Sequence, residues 1–194
     1  MSLQARTEPV FAHRLATEDD LPALREVMDL AIAELQRGFL DEGQIAASRL
    51  VMGLDTQLVA DRTYFILEAQ GRIAGCGGWS RRATLYGGDH STSLRNAALL
   101  DPACDAARVR AMYTHPDFKR RGVGRQILAL CESAAAAAGF SRVELMATLA
   151  GHPLYSACGY VEIEPVISET ELGPVPLIRM GKPLASPPVD IPRS

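Results

Sequence analysis

The chain has 194 residues, of which 47% are hydrophobic and 22% charged, with a formal net charge of −3. That length and balance suit one globular domain with a substantial core, and a slightly acidic chain argues against general nucleic-acid binding. The expectations also include no membrane partner, because no apolar run of about 18 residues occurs, and no secretory leader, because the N-terminus lacks an apolar stretch.

Residues 10–16 read as a short strand. Thr17 with Asp20 three residues on is a capping signal, after which Leu21, Leu24, Val27, Met28, Ala31, Ile32 and Leu35 recur at helical spacing. A second helix is predicted over 42–51. Strands over 64–69 and 73–79 are joined by a turn at Gln70-Gly71-Arg72. Residues 81–106 are rich in Gly, Asp, Asn and Ser without periodicity, so they read as a long functional loop. A strand over 108–114, a helix over 124–138, a strand over 142–147 and a short helix over 153–157 follow. The predicted inner face of the long helix is Ile127, Leu128, Cys131, Ala134 and Ala138. Strands over 161–166 and 175–180 close the sheet as a hairpin, and the segment from Pro183 is a Pro-rich tail. Cys76, Cys104, Cys131 and Cys158 are scattered without a CxxC pair. Reduced cysteines, a cytoplasmic setting and no metal are therefore expected.

The chemistry concentrates between the strand over 108–114 and the helix after it. Lys119, Arg120, Arg121 and Arg125 bring four positive charges to a loop that also carries Gly122 and Gly124. A glycine loop opening a helix presents free backbone N–H groups, which bind phosphates. The P-loop pattern is absent, and a dinucleotide fingerprint fails because Ile127 stands where its third glycine would be.

Lys119-Arg120-Arg121-Gly122-Val123-Gly124 resembles the acyl-CoA pyrophosphate loop of the GNAT superfamily of acyl-CoA-dependent N-acetyltransferases. That loop reads Gln or Arg, two residues, Gly, one residue, then Gly or Ala. Lys119 departs from it but keeps the charge. A second segment, from Thr148 to Tyr160, resembles the last helix of that superfamily, with Leu154, Tyr155, Gly159 and Tyr160 in register. Thr148 stands where Asn is usual and Gly151 where Ala is usual. The opening around Arg14–Leu24 is also of the family type, so the resemblance spans about residues 10–182.

The resemblance implies a mixed α/β (α+β) fold, with a mostly antiparallel central sheet flanked by helices. Its cleft would open between the strands at about 108–114 and 142–147. A single domain would cover 1–182, with a tail at 183–194. It implies acetyl-CoA as co-substrate, bound by Lys119, Arg120, Arg121, Gly122, Val123, Gly124 and Arg125. The main chain of Thr114 would hold the pantetheine, and the N–H of Met112 would polarise the thioester. Tyr155 stands where the family carries its general acid. A Tyr is about 1.5 pKa units above a thiol, so full proton transfer to a thiolate is uphill by only about 2 kcal/mol. The acceptor would be a primary amine of a small molecule or peptide, and a homodimer is compatible with the resemblance. The alternative is a non-catalytic acyl-CoA-binding or sensing domain.

The general base is not assigned by the motifs. Arg108 occupies the position where several family members carry Glu. His115, His152, Asp89, His90 and Glu144 are the titratable candidates, with a water wire or an amine of low pKa as the alternatives. Strand alternation would place Arg108, Arg110, Met112 and Thr114 on one face unless a bulge intervenes. The two arginines would then suit an anionic acceptor, with Trp79, Tyr86 and Asp89 closing over it.

Overall fold

The computed structural model describes residues 10–185. Seven strands form one sheet: β1 (Ala12–Leu15), β2 (Tyr64–Ala69), β3 (Arg72–Ser80), β4 (Ala107–Thr114), β5 (Arg142–Thr148), β6 (Val161–Ser168) and β7 (Val175–Pro183). Their order is β1-β2-β3-β4-β5-β7-β6. Every neighbouring pair is antiparallel except β4–β5. The helices are α1 (Leu21–Leu35), α2 (Glu42–Val51), α3 (Thr56–Ala60), α4 (Val123–Ala137) and α5 (His152–Ala157). This is the mixed, mostly antiparallel sheet flanked by helices that the motifs implied.

The start of α1 follows from local chemistry. The Asp20 carboxylate accepts the Thr17 N–H at 2.8 Å and the Thr17 hydroxyl at 2.9 Å. Arg14 clamps the same carboxylate at 2.7 and 2.8 Å and holds its pKa well below the usual range. Leu24, Val27, Ala31 and Ile32 are then buried at helical spacing.

The sheet separates two cores. Ile66 and Cys76 pack with α1, whereas Leu67, Trp79 and Val109 pack with α4. Adjacent residues of β2 therefore face opposite layers, as the period of two requires. On α4 the buried face is Val123, Ile127, Leu128, Cys131 and Ala135. Ala134 packs against the same core partly buried, as expected, whereas Ala135 is fully buried and Ala138 is exposed. A third, smaller cluster joins α2 to β7 through Ala47, Val51, Val175 and Leu177. The four cysteines are unpaired.

Three features differ from the sequence reading. Helix α3 was not predicted; its five residues are too few to show a period, although Asp55 caps it by accepting the Gln57 N–H at 3.1 Å. The loop over 81–106 is folded on itself, with Ala83 N–H donating to Ala98 O at 2.9 Å and Leu100 N–H to Arg81 O at 2.8 Å. Strand β7 runs through Pro183, and Leu184 N–H donates to Ser141 O at 2.8 Å. The rest of the Pro-rich segment, 186–194, lies outside the described residues.

Candidate active site

Strands β4 and β5 pair only at Ala107–Val143 and Arg108–Glu144. Beyond those two rungs they separate, and a cavity of about 90 Å3 lies between them. Val109 to Tyr113 form one wall, and Leu145, Met146, Thr148 and Tyr155 form the other. Val51–Gly53 after α2, Leu85–Gly87 of the long loop and Leu177 of β7 complete it.

A bulge shapes the first wall. The β3–β4 register pairs Gly78 with Arg110 but Cys76 with Tyr113, leaving Ala111 and Met112 between the paired positions. Ala111 has φ +50°, outside the extended region. The bulge turns Met112 toward α4. A Cβ on Gly77 would stand 2.7 Å from Ile127 Cγ2 and closer still to Met112 Sδ, so only glycine leaves room there. Arg108 and Arg110 stay on the opposite face from Met112, which corrects the expectation of one shared face. The reason is the extra residue, which inverts the alternation beyond it.

Both arginines are committed to carboxylates. Arg108 pairs with Glu144, which also takes Arg179 at 2.7 Å. Arg110 is buried and pairs with Asp55, while its Nη2 donates to Gly87 O at 2.6 Å. Burial lowers the Arg110 pKa and the Asp55 carboxylate opposes that shift. Asp55 also takes Arg95 at 3.0 Å. The pair therefore ties α3, β4 and the long loop together, and neither guanidinium is free to bind an acceptor anion. Asp55 was not singled out from the sequence; its cap position was legible, its pairing 55 residues away was not.

Trp79 and Asp89 also leave the expected acceptor group. Trp79 is buried edge-on to Phe140 at 6.1 Å in the α4-side core. Asp89 accepts the Thr56 N–H at 3.1 Å at the start of α3. Tyr86 alone of those three lines the cleft. The titratable candidates are engaged elsewhere. His115 Nδ1 accepts the Asp117 N–H at 3.1 Å, His152 lies 2.6 Å from Glu162, and His90 Nε2 lies 3.1 Å from Leu50 O. None of these, nor Glu144, lines the cavity.

Tyr155 reaches the cavity from α5. Gly151 begins the turn into that helix, its N–H donating to Thr148 Oγ1 at 3.1 Å. The Tyr155 ring is buried and meets Tyr160 edge-on at 5.9 Å. Burial, with Cys131 and Cys158 adding to it, pushes its pKa up, so the hydroxyl keeps its proton at neutral pH.

The basic loop lies between Phe118 and α4. Lys119 N–H donates to Pro116 O at 3.2 Å, and the next backbone bond is Gln126 N–H to Gly122 O at 3.0 Å. The N–H groups of residues 120–125 are left without a backbone acceptor. Gly122 caps α4 with φ +81°, a left-handed value that suits glycine. Lys119, Arg120, Arg121 and Arg125 are exposed and form no salt bridge among the described residues; Arg121 rests over the Phe118 ring at 5.6 Å. Such a terminus is suited to an anion. Gly124 also lets α4 approach α5, since a Cβ there would stand 2.6 Å from Leu154 Cδ2. Among the described residues no group of three His, Cys, Asp or Glu is placed to hold a metal, and no helix is long and apolar enough to cross a membrane.

A family model for the GNAT acetyltransferase domain matches residues 60–162, which include β4, the basic loop, α4 and α5. The chain belongs to the GNAT acetyltransferases. No curated protein sequence matches it. Solved structures share its fold. A GCN5-related N-acetyltransferase from Rhodopseudomonas palustris is 19% identical with a TM-score of 0.66, covering 94% of this chain and 100% of that one. The PaiA N-acetyltransferase of Thermoplasma acidophilum, solved with coenzyme A, is 12% identical with a TM-score of 0.57, covering 90% and 99%. N-acetylglutamate synthase of Neisseria gonorrhoeae, solved with coenzyme A and N-acetyl-glutamate, is 15% identical with a TM-score of 0.57, covering 92% of this chain and 36% of that one.

Proposed function

We propose that this GNAT protein is an N-acetyltransferase that moves an acetyl group from acetyl-CoA to a primary amine by direct attack in a ternary complex. The observation that carries the reading is the convergence of three features on one opened sheet: the free N–H groups of residues 120–125, the bulge at Ala111–Met112 and the Tyr155 hydroxyl. The pyrophosphate would rest on the loop N–H groups and the four cations, with the pantetheine held by the main chain of Thr114. The Met112 N–H would polarise the thioester carbonyl. The amine nitrogen forms the C–N bond, and the C–S bond breaks with its electron pair on sulfur. One N–H proton leaves to water, and Tyr155 protonates the thiolate. The products are an amide and free CoA thiol, and Tyr155 recovers its proton from water. Burial raises the Tyr155 pKa, so the hydroxyl holds its proton until the thiolate forms beside it.

A thiol-trapping assay for CoA release tests this against a panel of amines. Amine-dependent release supports the enzyme. Tight acetyl-CoA binding without release for any amine would instead favour a sensing domain. For the loop, the test variant is Gly122→Asp, since Asp is among the few side chains that visit the left-handed region. Its carboxylate would occupy the anion position and repel the pyrophosphate. CoA affinity by calorimetry, at a temperature where the variant is folded, is expected to fall about 30-fold, equivalent to about 2 kcal/mol. Unchanged affinity would remove the loop from the binding site.

A further inference from the structure

The cleft wall says what kind of amine the site is built to accept. Among the described residues, no Asp, Glu, His or Lys lines it. Its lining is largely apolar, with Leu85, Met146 and Leu177 joined by Tyr86, Tyr113 and Tyr155, and the Tyr113 hydroxyl already donates to Gly53 O at 3.1 Å. The two carboxylates nearest in the fold are already neutralised: Asp55 by Arg95 and Arg110, and Glu144 by Arg108 and Arg179. The one charged side chain in the lining, Arg110, is cationic and buried.

An ammonium group therefore finds no counter-ion in this cleft and no side chain to take its proton. An alkylamine resembling a Lys side chain is about 0.1% neutral at pH 7, so deprotonating it costs about 4 kcal/mol that nothing here offsets. Two or more ammonium groups, as in a polyamine, would lose hydration against apolar walls with no free carboxylate in the lining to replace it. An α-amino group beside a carbonyl titrates about 2.5 units lower and reaches the cleft largely free of that cost.

Resting on the acetyltransferase reading, we infer that the acceptor is an apolar primary amine of low basicity, an α-amino group next to a carbonyl with an apolar side chain, and not a polyamine or a lysine-like alkylamine. The apolar body fills the space lined by Leu85, Met146 and Leu177. The nitrogen arrives neutral, so the proton it loses after attack goes to water and no enzyme base is required.

The test compares leucinamide, 3-methylbutylamine and 1,4-diaminobutane at pH 7, with acetyl-CoA saturating and CoA release as readout. The first two share a side chain and differ in the carbonyl that lowers the basicity of the amine. Leucinamide is expected to exceed 3-methylbutylamine in kcat/KM by about tenfold or more, the greater nucleophilicity of the alkylamine offsetting part of the difference in neutral fraction. The diamine is expected to be the poorest. A second arm uses Leu85→Glu, at a partly buried loop position in the cleft lining, with the fold of the variant checked by thermal denaturation. That carboxylate should narrow the ratio of leucinamide to diamine by about tenfold. The inference is overturned if either alkylamine matches leucinamide, or if Leu85→Glu leaves the ratio unchanged. Binding of acetyl-CoA without release for all three amines overturns the acetyltransferase reading beneath it.

Discussion

Tyr155→Phe is expected to lower kcat about 100-fold while leaving acetyl-CoA affinity unchanged. The ring is buried against Tyr160 and its edge is part of the cavity wall, so the substitution keeps the packing and removes only the hydroxyl. A thiolate expelled into a partly dry cleft without a proton donor is poorly solvated, and the barrier rises by the stabilisation lost. Because burial raises the Tyr155 pKa, the hydroxyl is protonated throughout pH 6–9. The wild type should therefore show no alkaline loss of rate from this group in that window. Pre-steady-state measurements, with chemistry shown to limit turnover, check the result. A kcat within threefold of wild type would assign Tyr155 to packing alone.

Asp55→Ala should be the most destabilising single change, by about 3–5 kcal/mol, because it leaves the Arg110 guanidinium buried without its counter-ion. Arg110 is 5% exposed and Asp55 fully buried, so water cannot take over the lost contact. The same change releases Arg95 and the N–H of Gln57, loosening the long loop and the start of α3. Urea denaturation gives the number. The double variant Asp55→Leu with Arg110→Met removes both charges and should recover much of the loss, whereas Arg110→Met alone leaves a buried carboxylate still held by Arg95. A loss below 1 kcal/mol for Asp55→Ala would mean that this pair does not hold the cleft wall together.

The elements whose chemistry is local were legible in the sequence. The capping pair at Thr17 and Asp20, the glycine that opens α4 and the alternation of the strands each depend on neighbours within a few residues. Met112 and Tyr155, named from motifs in register, both line the cleft. What was missed depends on partners far apart in the chain. Arg110 looked free because Asp55 is 55 positions away, and Trp79 looked available because Phe140 lies on another strand-helix unit. The shared face assigned to Arg108 and Met112 failed at one residue, Ala111, whose left-handed backbone has no marker in an alanine. The packing role of Gly124 was equally hidden, because its neighbour Leu154 belongs to a helix 30 residues on.

The two rungs between β4 and β5 have a consequence for how this protein can change over generations. Every other strand pairing joins members of the same half of the chain: β1 to β4 before residue 115, and β5 to β7 after residue 141. The groove is thus a seam between two separately knitted panels, with α4 laid across the back. Changes in the loop over 81–106 remodel one lip, with only two rungs of shared ladder to carry strain across to β5. Such a seam lets the lips of the groove drift while the start of α4 keeps its shape.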